Sequence, residues 1–476
     1  MYGLVKPWMR RSGRTHYMAI GGSDGLYFSG SLDLEMTSRH DISGTCTVKK
    51  GERRYLSIFY RKPEVFDEGH FRAPDTEELD KRLNETLQWW KEWAAQASYQ
   101  PSYHKHVVRS ALVLKGLSNA PTGAIAAAPT TSLPESQGGA RNWDYRFSWI
   151  RDAAFSVRSL GFLGYVKEAD GFHRFVERSA AGSADDVRVL FGVGGEYGGF
   201  EWKVEELSGY RGARPVRVGN AAQRQKQFDM YGALVDLAWR GHQRGHSPDD
   251  DYWAFIVALV TTAGRLWRHP DQGIWEIRGK PRHFVHSKVG CWLALDRGIR
   301  LASDLGREAP IDEWKKERDA LRQAIEEKGY DVGRGVFIQA FGHPVMDAAL
   351  LLLPHTGFID FQDERMVRTT DAIRKDLDRD GFLRRYPKGD DELEGEEGVF
   401  LACSFWLVVC LARQLRLDEA HSLFKRVLSA GNDLGLFSEE YDTTTNEMLG
   451  NFPQGLTHLS LILAAIALAE MEQHHD

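Results

Sequence analysis

The sequence predicts a mainly α-helical chain, a closed α/α barrel preceded by a small β module and a linker helix. Three observations lead there. β-type segments are confined to residues 1–65, a capped amphipathic stretch follows them, and helical apolar periodicity recurs from residue 103 to the end.

The β module comes first. HYMAIGG, GLYFSG and RRYLSIFYR carry β-branched and aromatic residues and are separated by Gly, Ser and Asp turn chemistry, so residues 1–72 are expected to form short strands. Pro74-Asp75-Thr76 then opens a helix. Leu79, Leu83, Leu87, Trp90 and Trp93 recur at helical spacing behind a capping Asp or Thr, giving a linker helix within residues 73–102.

Residues 103–476 are expected to form the barrel. Amphipathic helices are expected near 103–117, 148–163, 221–241, 250–267, 285–303, 312–329, 343–353, 365–376, 399–414, 417–430 and 452–472. No strand series interrupts them, and no solenoid-type repeat is detectable, so the helices are expected to close into a toroid. Function in such a barrel sits in loops at one end. The segments GGARNWDYRFSWIRDA, DQGIWEIRG, RRYPKGDDELEGEEG and LFSEEYD concentrate Trp, Arg, Asp and Glu between helices.

Bulk properties narrow the chemistry. A net charge of −6 provides no field for holding a nucleic-acid backbone, so a neutral or small substrate is expected rather than a nucleic acid. Cys46, Cys291, Cys403 and Cys410 are scattered, mostly among apolar neighbours and without a C-x-x-C pair, which suggests buried reduced thiols and a cytoplasmic setting. MYGLVKPWMRRSGR has no apolar stretch of signal-peptide length, and the apolar run at Leu456–Met471 is broken by His458, so no membrane association is expected. Oligomeric state is left open.

Several motifs have plain explanations. Gly21-Gly22-Ser23-Asp24-Gly25 matches G-x-S-x-G but lies between short strands with no helix after it, as a hairpin turn does. Gly192 to Gly199 lacks dinucleotide-loop spacing, and His283 and His286 have no accompanying ligand cluster, so no cofactor and no metal is expected.

Carboxylates remain. Glycosidic cleavage needs one protonated carboxyl at the leaving oxygen and one ionised carboxylate acting on the other side of the ring. Glu276 follows Trp275, an aromatic able to stack on sugar and desolvate the acid, although a helix-start glutamate fits the local sequence equally well. Glu439 and Glu440 lie in Gly435-Leu-Phe-Ser-Glu-Glu-Tyr-Asp442, where adjacent loop carboxylates ordinarily face water.

Five blocks resemble one known family: GGARNWDYRFSWIRDAAF, GYRGARPVRVGNAA, GIWEIRGKPRHFVHSKVGCWLALDRGIRLA, GVFLACSFWLVVCLA and NDLGLFSEEYDTTTNEMLGNFPQGLTHLSLI are similar, in order, to glycoside hydrolase family 15, the glucoamylase and bacterial trehalase family. The match runs from about Pro121 to the C-terminus. It implies an (α/α)6 barrel and an inverting hydrolase that releases β-glucose from an α-glucoside. Trp275-Glu276 matches the pair whose glutamate is the general acid, and Ser438-Glu439 with Tyr441-Asp442 matches the segment whose first glutamate is the general base. Tyr145, Trp149, Arg151 and Asp152 match the element that shapes and holds the glucose subsite. Arg385 in Arg385-Tyr386-Pro387 matches an arginine near the scissile bond, with Arg384 able to serve in its place.

The chain departs from the family twice. Ile277-Arg278 stands where fungal glucoamylases carry a second glutamate, so the leaving sugar is not transferable from starch-cleaving enzymes. The resemblance also implies a longer β-sandwich before the linker helix, so the N-terminal module is expected to be partial, beginning inside it at Tyr2-Gly3. α,α-Trehalose and malto- or isomalto-oligosaccharides are the candidate substrates. The alternative from another class is a catalytically silent relative that binds glucan or regulates a partner.

Overall fold

The computed structural model describes residues 5–12, 16–67, 72–98, 102–180, 182, 184–197, 200–390, 395 and 397–473. Two compact units are present, Met1–Ala95 and Gln96–Asp476. Tyr2-Gly3 and part of the acidic 384–398 segment lie outside the described residues.

The first unit contains β1 (Trp8–Arg11), β2 (His16–Gly21), β3 (Asp24–Gly30), β4 (Glu35–Met36), β5 (Ile42–Ser43), β6 (Leu56–Arg61), α1 (Pro63–Asp67) and α2 (Thr76–Ala94). β1, β2, β3 and β6 form one antiparallel sheet in that order. Its period-two pattern buries Tyr17, Ala19 and Tyr27. Gly21 pairs with Asp24 across a two-residue turn, and Gly22 has φ +59, so the G-x-S-x-G match is a hairpin. Asp75 caps α2 by accepting from the Glu78 N–H at 2.9 Å.

The second unit contains α3 (His104–Leu117), α4 (Ile150–Phe162), α5 (Val166–Ser179), α6 (Asp229–Gln243), α7 (Asp250–Leu266), α8 (Val285–Leu305), α9 (Ile311–Lys328), a 3-10 segment (Ala348–Thr356), α10 (Glu364–Leu377), α11 (Leu401–Arg413), α12 (Leu417–Leu428) and α13 (Gly455–Gln473). α4, α6, α8, the 3-10 segment, α11 and α13 pack consecutively, and α13 returns onto α4, closing an inner ring. The alternating helices α3, α5, α7, α9, α10 and α12 pack outside it. This is the (α/α)6 barrel that the sequence predicts.

Inner helices are surrounded by protein, which explains their composition. α13 is long and apolar enough to cross a membrane, and 83% of its apolar window is buried inside the barrel. His458 on it is also buried, accepting from the Phe437 N–H at 3.2 Å. α6 and α8 approach so closely that a Cβ on Gly232 would stand 2.3 Å from the Gly290 carbonyl oxygen, so only glycine fits there.

Three elements differ from expectation. α5 was not anticipated, because its buried stripe of Ala169, Phe172, Phe175 and Val176 is diluted by charge and interrupted by Gly171. Residues 343–353 do not form an α-helix. Ala348–Thr356 is apolar on every side, carries Pro354, and is wound as a 3-10 segment behind the Asp347 cap. The helix expected from residue 221 starts at Asp229, because the Phe228 N–H donates instead to Asp271 Oδ2 at 2.9 Å. Cys291, Cys403 and Cys410 are buried free thiols, whereas Cys46 is exposed.

Connections determine where function sits. Those entering inner elements are long, 118–149, 180–228, 267–284, 329–347, 378–400 and 429–454. Those leaving them are short, 163–165, 244–249, 306–310, 357–363 and 414–416. The long loops gather at the N-termini of the inner ring, where helix dipoles present partial positive charge.

Candidate active site

One cavity is built from these loops and encloses about 810 Å3, including its open mouth. Tyr145, Trp149, Arg151, Asp152, Trp275, Glu276, Arg385 and Glu439 all line it. The eight residues singled out in the sequence are thus brought together. Arg384 is not among the cavity-lining residues.

Glu276 stands on a tightly held loop. Asp271 and Arg282 exchange two backbone hydrogen bonds of 2.9 Å at its base, and Gln225 Nε2 donates to the Glu276 carbonyl at 3.1 Å. Glu276 itself has φ +58, a left-handed conformation that costs a non-glycine residue roughly 1–2 kcal/mol. Neighbouring packing sustains it. The Trp275 indole N–H donates to Asp347 Oδ1 at 2.8 Å and its ring stacks on Trp406 at 5.8 Å, while Ile277 packs with Phe284 and Ala340.

The Glu276 carboxylate collects donors on one oxygen. Trp149 Nε1 donates to Oε1 at 2.6 Å, Gln227 Nε2 at 3.2 Å, and Arg151 Nη2 lies 4.0 Å away. Burial raises its pKa, and Arg151, Trp149 and Gln227 oppose that rise without cancelling it. Arg151 is fixed by Asp152 at 2.9 Å, Gln227 at 3.1 Å and the Ile274 carbonyl at 3.0 Å.

Glu439 and Glu440 are separated by strand alternation. Glu440–Asp442 pairs with Val399–Phe400 on one side and Glu447–Leu449 on the other. Glu440 accepts from the Gly398 N–H at 2.9 Å and meets Arg385 at 3.2 Å. Glu439 instead lines the cavity, with Oε1 accepting from the Tyr145 hydroxyl at 2.8 Å. Burial and then the charge of Glu135 push its pKa well up, while Arg385 and the Tyr145 hydrogen bond pull the other way. Tyr145 and Trp149 pack edge to face at 5.5 Å, so one aromatic pair holds both carboxylates.

Sequence reasoning missed further residues. Glu135, Arg141 and Trp143 line the cavity, and Gln227, Asp347 and Glu397 hold residues that do. The guanidiniums of Arg217 and Arg278 lie over the Trp143 ring at 4.5 and 4.3 Å, and Glu201 ties the two together at 3.3 and 3.1 Å. The only local signal was the density of charge and aromatics around GGARNWDYR. Glu135, Glu397 and Glu440 converge closely enough to hold a cation. Arg385 Nη2 meets all three, at 3.4, 2.7 and 3.2 Å, so a guanidinium takes the place of a metal. His283 stacks on Phe341, and His286 lies 3.9 Å from Asp229, its pKa lowered by burial.

The model of glycosyl hydrolases family 15 matches residues 101–466. The trehalase of Thermoplasma volcanium is 42% identical over 389 residues, covering 82% of this chain and 62% of that protein. The trehalase of Mycobacterium tuberculosis is 39% identical over 438 residues, covering 90% of this chain and 63% of that protein. The chain therefore spans a little over three-fifths of the length of these relatives. A bacterial glucoamylase solved with acarbose shares the fold, with a TM-score of 0.73 and 12% identity over 98% of this chain and 74% of that one.

Proposed function

This chain belongs to glycosyl hydrolases family 15, and on that premise we propose that it hydrolyses α,α-trehalose with inversion, Glu276 acting as general acid and Glu439 as general base. One observation carries the reading: both glutamates line a single cavity, each bound by one ring of the Tyr145–Trp149 pair. The trehalases at 42% and 39% identity support the choice of sugar.

A terminal glucose enters with its hydroxyls against Arg151 and Asp152, whose charged groups hold neutral sugar through charge-assisted hydrogen bonds. Glu276 donates its proton to the glycosidic oxygen as the C1–O bond breaks. Glu439 takes a proton from the water that bonds to C1 on the other face. Inversion needs room for that water, which the two carboxyls provide when they stand about 6.5–9.5 Å apart. Arg385 fixes Glu440 and leaves Glu439 as the base of the adjacent pair. The free buried thiols fit a cytoplasmic setting. A silent glucan-binding relative has no need of two cavity-lining carboxylates with separate donors.

Glucose release from α,α-trehalose, maltose and isomaltose tests the reading. Trehalose is expected to give the highest kcat/KM. Faster release from maltose or isomaltose reassigns the leaving sugar, and no release from any of them by folded protein overturns the hydrolase.

A further inference from the structure

Glu135 is 1% exposed, lines the cavity and has no part in the mechanism above. We propose that Glu135 is a positioning residue: it stands beside Glu439 as a second carboxylate, and the two hold one proton between them in the free protein, so that ionisation of the base belongs to the pair. This rests on the reading of Glu439 as the base.

Geometry supports the pairing. A Cβ on Gly450 would lie 3.1 Å from both Cβ and Oε2 of Glu439 and 3.8 Å from Cγ of Glu135, so both side chains lie across the same glycine. Gly450 has φ +77, which suits glycine and keeps that space open. Glu135 Oε1 and Glu439 Oε2 are buried and make no hydrogen bond among the described residues. A shared proton satisfies two such oxygens, whereas two bare carboxylates leave both unpaired.

Charge supports it as well. The groups facing the pair are Arg385, Arg141, Glu397, Glu440, Tyr145 and Asp152. Arg385 contacts Glu135, Glu397 and Glu440, and Arg141 pairs with Glu397. Three glutamates thus meet two guanidiniums with Glu439 beside them, and the excess negative charge is relieved by protonation. Burial, with opposing help from Arg385 and a further push from Glu397, brings Glu135 to about 7.

The consequence is chemical. A base sharing a proton with a like neighbour stays ionised in a dry site, so it can accept the proton of the attacking water while that oxygen bonds to C1. The pair then carries two protons and Glu276 none, and solvent returns one from the pair to Glu276 before the next turnover.

The test is Glu135→Gln, which keeps the shape and cannot share the proton. The acidic limb of the kcat/KM profile on trehalose is expected to move at least ~1 pH unit higher, because sharing no longer holds off the second protonation, with the alkaline limb unmoved. Glu135→Asp should restore the wild-type limb. A uniform loss of rate with both limbs in place overturns the pairing. Infrared difference spectra across the neutral range provide a reading without turnover: a buried carboxyl signal should titrate in the wild type and shift its midpoint by at least ~1 pH unit in both Glu135→Gln and Glu439→Gln. An unshifted midpoint in either variant overturns the pairing. Wild-type protein that releases no glucose contradicts the proposed hydrolase instead, and the infrared signal still decides the pair.

Discussion

The two ends of the cavity carry the same side chain in opposite surroundings. Glu276 keeps 22% of its side chain exposed and gathers an indole, an amide and a nearby guanidinium on one oxygen. Glu439 is 3% exposed, has one phenolic donor, and faces Glu135 across Gly450. Burial raises both pKa values. At Glu276 the opposing Arg151, Trp149 and Gln227 come ahead of the like charge of Asp152, whereas at Glu439 the like charge of Glu135 comes ahead of the opposing Arg385 and Tyr145. In the proposed reaction the acid and the base are therefore distinguished by their partners, since depth of burial alone would make both acids.

Removing either carboxylate tests that division most severely: Glu276→Gln and Glu439→Gln should each lower turnover at least ~10²-fold, measured as kcat on trehalose. Removing the donors should separate the two ends. Trp149→Phe and Tyr145→Phe each remove a hydrogen bond to a charged group and should cost about tenfold in kcat/KM. Both donors favour the ionised carboxylate, so their loss raises the pKa of the group concerned. Trp149→Phe should move the alkaline limb to higher pH, and Tyr145→Phe should move the acidic limb to higher pH. Movement of the same limb in both variants would break the comparison.

Glu440→Gln should behave differently from its neighbour. It keeps kcat within about tenfold of wild type, because Glu440 braces Arg385 and the Gly398 N–H, and it lowers stability by about 1–3 kcal/mol in denaturant unfolding. A loss matching that of Glu439→Gln would move the base. The smallest effect is expected below the acid loop. Asp271 is pushed up to about 7 by burial, against the pull of Lys288. A carboxyl with a raised folded pKa contributes stability that is full below its ordinary value of 3.8 and is lost as pH rises through about 7. The Tm of wild type relative to Asp271→Asn should accordingly fall by a few degrees across that window, and a flat difference would contradict the assignment.

Sequence patterning revealed the barrel because outer helices alternate apolar and polar faces at helical spacing, as in Leu417–Leu428. It failed where burial is complete: Ala348–Thr356 is apolar on all sides, so period carries no information and the 3-10 winding is invisible. The site was legible where chemistry is dense, around Trp275-Glu276 and Tyr145 to Asp152. Choosing Glu439 over Glu440 needed the family blocks, since only pairing with Val399–Phe400 shows which of two neighbours turns to the cavity. Glu135, Gln227 and Asp347 lie in aperiodic loops, and their importance comes from contacts across the barrel, which one sequence does not display.

The central claim is inversion by Glu276 and Glu439, and 1H NMR of the first glucose released from α,α-trehalose tests it most directly. The attacked ring inverts to β-glucose while the leaving ring keeps its α configuration, so the two anomers should appear in equal amounts before mutarotation. Release of α-glucose alone would contradict it.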